Sequence, residues 1–166
     1  MLFRSRELNS QWDGNEISFQ TLSTLPYMKM VIQEALRLLP PVWAFGRKSK
    51  EDDVILGFPI SKGQSLNIPI VAIHRHPDFW EHPNEFYPEH FLPEKVKLRD
   101  KFAYMPFSLG QHRCIGEYFA IMEIQMVLMR LYKSYKIELF SKEPMEFIPL
   151  VTLKPKYEIQ LNVKKI

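Results

Sequence analysis

The chain has 166 residues, 46% of them hydrophobic and 25% charged, with a formal net charge of +3. That length supports one domain with a substantial core, and so mild a basic excess, with no aromatic-interleaved basic stripe, does not point to nucleic acid. A single cysteine excludes an internal disulfide and fits a reducing, cytoplasmic compartment, while no apolar run approaches bilayer-crossing length and Met1-Leu2-Phe3-Arg4 is not followed by a signal-like core.

In chain order, the first strong element is PYMKMVIQEALRLLPP. Met28, Val31, Ile32, Ala35, Leu36 and Leu39 recur at a helical period, Pro26 lies in the first turn and Pro40-Pro41 stop the pattern, which predicts a helix over about 25–39. Glu34 and Arg37, three apart, share a face; pairs of this kind are ordinarily solvated salt bridges that contribute little. The run VILGFPISKG reads as two short strands around a turn, followed by an apolar strand through Ile70, giving a β-hairpin region over about 53–70. Thirteen prolines against six glycines, many of them between Pro77 and Pro106, predict a long irregular connection over about 77–106. Within it Lys95, Lys97, Arg99 and Lys101 form a local basic cluster, read as a solvated face.

A second helical pattern spans about 115–133, and apolar residues from Phe119 to Leu131 cover most of its circumference, which predicts a buried helix. Its methionines read as adaptable core filler. Tyr157, Ile159, Leu161 and Val163 alternate with Glu158, Gln160 and Asn162, the signature of a half-buried strand, so the chain is expected to close with a terminal β-hairpin over about 136–163. The five histidines form no HExxH and no paired CxxC exists, so zinc is not expected. There is no GxSxG elbow, phosphate-cradling glycine loop or internal repeat.

The most informative run lies between the irregular connection and the second helix. In FSLGQHRCIGE, Cys114 has Phe107 seven residues before it, Gly110 four before it and Gly116 two after it. A lone cysteine is most often a small buried hydrophobe, but this setting points to a buried thiolate gripping a metal. If the metal is a haem iron, each neighbour has a task. Gly110 permits positive φ, and Gly116 admits close approach to a flat macrocycle where a Cβ would collide. The helix that follows places the sulfur near unsatisfied N–H groups, which favours the thiolate. Phe107 would shield the sulfur from water.

These residues resemble the ligand loop of the cytochrome P450 haem-thiolate monooxygenases, which reads Phe, two residues, Gly, three residues, Cys, one residue, Gly. Three more segments, in the family's order, carry the resemblance from about Leu22 to Leu161. Glu34-Ala-Leu-Arg37 resembles the family's helical Glu and Arg. Phe86, Pro88, Glu89 and Phe91 match its aromatic, Pro, acid, Arg, Phe pattern, with His90 standing where the family has arginine. Arg47 and the pair His74-Arg75 match a third segment.

The resemblance implies a mainly α fold with small β-sheets, residues 1–166 being the C-terminal portion of a single cytochrome P450 domain with the ligand loop at 107–116. It implies haem b (iron protoporphyrin IX) with Cys114 as catalytic metal ligand and Arg47, Phe107, Gly110, His112 and Gly116 at the cofactor. Arg47 and His112 would meet the propionates, where most relatives carry Arg and some His at the latter position. Glu34, Arg37 and His90 would brace the loop, with a histidine charge that is not fixed near neutral pH. Val42, Phe45, Leu150 and Val151 would touch substrate. The implied reaction inserts one oxygen atom from O2 into a small apolar substrate, with electrons from a reductase or ferredoxin that the basic cluster would help to steer. Complete members are more than twice this length, so the isolated chain is expected to be inactive. The alternatives are a haem-binding module without oxygenase activity or a family isomerase.

Overall fold

A computed structural model describes Trp12 and residues 17–140 and 145–166. Met1 to Arg4, read above for a leader, and 141–144 within the expected terminal hairpin lie outside the described residues. Helix α1 (Phe19–Ser23) opens on a reciprocal cap in which Ser18 Oγ accepts from the Thr21 N–H at 3.1 Å and Thr21 Oγ1 accepts from the Ser18 N–H at 3.4 Å. Helix α2 (Pro26–Leu38) starts on Pro26, whose missing N–H costs nothing at that position, and stops before Pro40. Its buried face holds Met28, Val31, Ile32 and Leu36, together with Glu34 and Arg37.

Strand β1 (Phe45–Lys48) pairs antiparallel with β4 (Ser65–Ile68), Arg47 opposite Leu66, and the hairpin β2 (Asp53–Ile55) and β3 (Phe58–Ile60) lies between them in the chain. Within 53–70 lie the hairpin β2–β3 and the strand β4 that follows it, and the partner of β4 is β1, outside that range. The tight turn at Leu56 (φ 52°) and Gly57 (φ 84°) closes the inner pair before β4 can reach it, leaving β4 to return to β1. The apolar run through Ile70 does not continue as strand: Pro69 ends it, and Ile70–Ile73 forms short helix α3. The connection that follows holds 3₁₀ turns at Pro88–Phe91 and Lys101–Ala103 and helix α4 (Pro93–Leu98).

Helix α5 (Glu117–Ser134) lies against α1 and α2, and the core between them is Leu22, Leu25, Met28, Ile32, Leu36 and Met129, with Trp12. The expectation of a helix buried all round is corrected: only Gln125 and Met129 are buried, while Phe119, Met126 and Val127 are exposed. One stripe meets α2, and no described element covers the opposite face. Strand β5 (Tyr135–Leu139) pairs with β8 (Leu161–Lys165), and β6 (Phe147–Pro149) pairs with β7 (Leu153–Pro155) inside that loop. The alternation read from Tyr157 starts too early, because Tyr157 and Ile159 precede β8 and are exposed. The expected half-burial is also corrected, since Leu161 and Val163 lie on an apolar ribbon face that nothing described covers.

The two sides of α5 should respond differently to truncation. Met129→Ala, at a position 0% exposed, is expected to cost about 2–5 kcal/mol. Phe119→Ala, at a position 65% exposed, should change stability by less than about 0.5 kcal/mol. Urea denaturation of the two variants checks both values.

Candidate functional site

The site is built on a buried polar cluster. All five N–H groups of the Arg37 guanidinium have an acceptor. Nε donates to Glu34 Oε2 at 2.8 Å, Nη2 to Glu34 Oε1 at 2.7 Å and to the Glu85 carbonyl at 2.9 Å, and Nη1 to the carbonyls of His74 and Pro83, both at 2.7 Å. Glu34 also accepts from the Tyr87 N–H at 2.8 Å, and His90 Nδ1 lies 3.3 Å from both carboxylate oxygens. Burial pushes the Glu34 carboxyl up, but hydrogen bonds from Arg37, His90 and the Tyr87 N–H outweigh it and leave the group below its ordinary range. One helical turn of α2 thereby holds the irregular connection at His74, Pro83, Glu85, Tyr87 and His90.

A second tie runs from this cluster to the cysteine loop. His74 is fully buried and its Nε2 accepts from the Met105 N–H at 2.9 Å, so its proton sits on Nδ1, which donates to the Arg37 carbonyl at 3.2 Å. Burial pushes this imidazole down to about 4, with the positive charges of Arg37 and Arg75 acting in the same direction. Met105 in turn accepts from the Ser108 N–H at 3.0 Å, which sets the start of the loop. His74 is the working residue that sequence reading named only as half of a pair. The available signal was a histidine one residue beyond α3, joined by Tyr104, whose hydroxyl donates to the Gln33 carbonyl at 3.0 Å.

The loop itself folds back through two left-handed residues, Ser108 (φ 62°) and Gly110 (φ 69°), so that the Cys114 N–H donates to the Phe107 carbonyl at 2.9 Å. Glycine at 110 answers a conformational demand, since a Cβ there would meet nothing within 4 Å. Cys114 is exposed, which corrects the expectation of a buried thiolate: no described side chain covers it, and Phe107 packs back on the α2–α5 core. Ile115, Tyr118 and Phe119 beside it are exposed too. A Cβ on Gly116 would face Cys114 Sγ at 3.8 Å, ordinary contact within the chain, so the open side of that glycine is where an outside group could approach the sulfur.

Arg47, on β1, reaches the loop with Nη2 donating to Ser108 Oγ at 3.4 Å, while Nη1 donates to the Gly46 carbonyl at 2.9 Å and the guanidinium lies 4.4 Å from the Phe45 ring centre. His112 ends the 3₁₀ turn Gly110–His112 with its side chain exposed. The segments carrying Val42, Phe45, Leu150 and Val151 are brought together by Trp43 Nε1 donating to the Leu150 carbonyl at 2.7 Å and the Leu153 N–H donating to the Pro41 carbonyl at 2.8 Å.

The family model for cytochrome P450 matches residues 6–163, and the chain belongs to that family. It is 35% identical over 165 residues to probable cytochrome P450 4p3 of Drosophila melanogaster, covering 99% of this chain and 32% of that protein. It is 32% identical over 141 residues to thromboxane-A synthase of Sus scrofa, covering 84% of this chain and 26% of that one. The crystal structure of the cytochrome P450DA heme domain superposes with a TM-score of 0.91 at 27% identity, covering 99% of this chain and 37% of that chain. The chain thus spans about a third of the length of the curated relatives it matches, and its helices and small sheets are part of the cytochrome P450 fold.

Membership brings haem as cofactor, and the residues fit it. Among the described residues no group of three or more His, Cys, Asp or Glu side chains is placed to hold a metal ion. A single exposed sulfur among exposed apolar side chains, with a glycine beside it and Arg47 reaching its loop from β1, suits a flat apolar macrocycle with acidic edges.

Removing the carboxylate under Arg37 should be costly. Glu34→Ala leaves a buried guanidinium uncompensated and is expected to lose about 3–5 kcal/mol of unfolding free energy in denaturant titrations. His74 sets a pH dependence of definite sign: the unfolded chain takes up a proton near pH 6.5 that the folded chain refuses until about 4. Stability is therefore fully present above pH 6.5 and falls by up to about 3 kcal/mol as pH drops to 4. Denaturation series at pH 7, 5.5 and 4.5 read the slope, and His74→Asn should flatten it.

Proposed function

We propose that this chain is the C-terminal, haem-binding portion of a monooxygenase that inserts one oxygen atom from O2 into a small apolar organic substrate, using electrons from a reductase or ferredoxin. The observation that carries the reading is the Cys114 loop, whose exposed sulfur is held by the bond from its own N–H to the Phe107 carbonyl. Haem supplies a redox-active iron, and a thiolate ligand donates electron density that favours O–O cleavage. Cys114 Sγ is the metal ligand. Arg47 and His112 take the carboxylate edges, the former with a guanidinium able to donate two parallel hydrogen bonds.

Val42, Phe45, Leu150 and Val151 form the apolar side that orients substrate and excludes water, held together by the ties from Trp43 to Leu150 and from Leu153 to Pro41. Glu34, Arg37 and His90 brace the loop from behind through His74 and Met105. The resemblance places the proton-delivering acid and alcohol of the family on a long distal helix that is absent from these 166 residues. Productive oxygen chemistry needs such positioned donors, so the polypeptide alone turns over little or nothing. A cytoplasmic setting belongs to the same proposal and rests on the single unpaired cysteine. Among the described residues no helix is long and apolar enough to cross a membrane.

A second reading is a haem-binding module without oxygenase activity or a family isomerase that needs no O2, and the match to thromboxane-A synthase supports the isomerase. Haem-loaded chain, reduced and exposed to carbon monoxide, should give the strongly red-shifted Soret band of a thiolate complex. Persistence of that band in Cys114→Ala would overturn the ligand assignment. With a reductase and NAD(P)H the loaded chain should form no product, and normal turnover would overturn the claim that it is inactive alone.

A further inference from the structure

The Cys114 loop carries one side-chain tie that the proposed function leaves unused. Arg113 and Glu117 flank the cysteine, and their contact is forked: Arg113 Nε donates to Glu117 Oε2 at 2.7 Å and Nη2 to Oε1 at 3.0 Å. Ordinary i,i+4 pairs lie within one helix and contribute little. This one crosses a boundary, since Arg113 is extended (φ −60°, ψ 139°) while Glu117 is the first residue of α5. The residues between them are Cys114, Ile115 and Gly116.

The tie matters because little else restrains that stretch. Residues 111–115 are all exposed, and no described element packs over them. Gly116 at the helix N-cap offers no side-chain hydrogen bond. Backbone restraint at the cysteine comes from the Cys114 N–H to the Phe107 carbonyl at 2.9 Å and the Arg113 N–H to the Gly110 carbonyl at 3.2 Å, both on its incoming side. On the outgoing side the first backbone bond is the one the Gly116 carbonyl accepts from the Ala120 N–H at 2.9 Å, which anchors the helix start and leaves Cys114 and Ile115 ahead of it. The Arg113–Glu117 fork spans that outgoing side. Glu117 also suits the position electrostatically, as an acid in the first turn of a helix.

We infer that Arg113 and Glu117 are positioning residues, a planar clamp across the cysteine that fixes the direction in which Cys114 Sγ points at its metal. The inference rests on the reading of Cys114 as haem ligand. It requires the fork rather than the charge alone, because lysine offers a point charge without the paired planar donors of arginine. It also gives the pair a local charge near zero, so that Arg113 is held by Glu117 and is not a free cation beside the sulfur.

The test uses Arg113→Gln, Arg113→Lys, Glu117→Gln and the charge swap R113E/E117R in the haem-loaded chain. The readout is the lifetime of the red-shifted Soret band in the reduced carbon monoxide complex. Each single variant, Arg113→Lys included, should lose the band about tenfold faster than the parent, because the loop opens locally while the rest of the fold stays intact. The swap should restore most of the lifetime. Lys136→Gln, which removes the exposed pair with Glu138 at 2.8 Å, should leave it unchanged.

A second measurement needs no haem. Exchange of the Cys114 amide, read by NMR in the unloaded chain, should quicken by about tenfold in Arg113→Gln and Arg113→Lys and return toward the parent value in the swap. An Arg113→Lys variant matching the parent in both measurements would overturn the clamp. A parent chain with no red-shifted band would overturn the ligand reading instead, and amide exchange then decides the clamp by itself.

Discussion

Arg37 sits where a charge is expensive, fully buried beneath the irregular connection, and it is retained there by saturation of its hydrogen-bonding capacity. Two of its N–H groups take the Glu34 carboxylate and three take carbonyls from a segment that has no regular ladder of its own. An irregular stretch leaves backbone groups without partners, and buried ones must find them elsewhere. Arg37 supplies donors for that need. The desolvation of the pair is offset only while geometry and count are complete, so the path of the chain from His74 to His90 and the identity of the side chains at 34 and 37 depend on one another.

His90 extends the same logic by a different route. Its Nδ1 faces the Glu34 carboxylate and its Nε2 faces the Glu81 carbonyl at 2.5 Å, so acceptors flank the ring on both sides. A ring with one N–H donates to one of them at a time. Arg99 completes the surround by donating to the His90 carbonyl and lying 3.9 Å from the Trp80 ring centre, with Arg37 at 4.9 Å from the same ring. Burial holds the Arg99 guanidinium down to about 10, still charged at neutral pH. Where the resemblance leads one to expect arginine, this chain uses a histidine and a neighbouring arginine in combination.

Much of this was legible in the sequence where chemistry demands residue types at fixed offsets. Gly110 could be read from the loop spacing because a backbone reversal needs positive φ there, and α2 was readable from its period and its prolines, whereas the shielding of the sulfur by Phe107 was not what the fold shows. Burial of Glu34 and Arg37 followed only from the family resemblance, because periodicity scores both as polar and partners 37 to 53 residues downstream make them internal. The exposure of α5 was missed for a related reason: an apolar pattern reports which side chains avoid water and says nothing of what covers them. Pairing of β1 with β4, the role of His74 and the Arg113–Glu117 fork all depend on contacts across turns whose geometry local composition leaves open.

The bond from Trp43 to the Leu150 carbonyl joins residues 107 positions apart. Closing a loop of that length carries an entropic cost that local contacts do not share, and contacts of high sequence separation slow folding. The α2 turn, by contrast, binds its own Glu34 and Arg37 across three residues before reaching for the connection beyond. Order of assembly follows: the Glu34–Arg37 contact can form early, and the Trp43–Leu150 tie only after the strands near residue 150 are in place. A ribosome releasing this chain would therefore deliver the Glu34–Arg37 contact well before Leu150 emerges to close against Trp43.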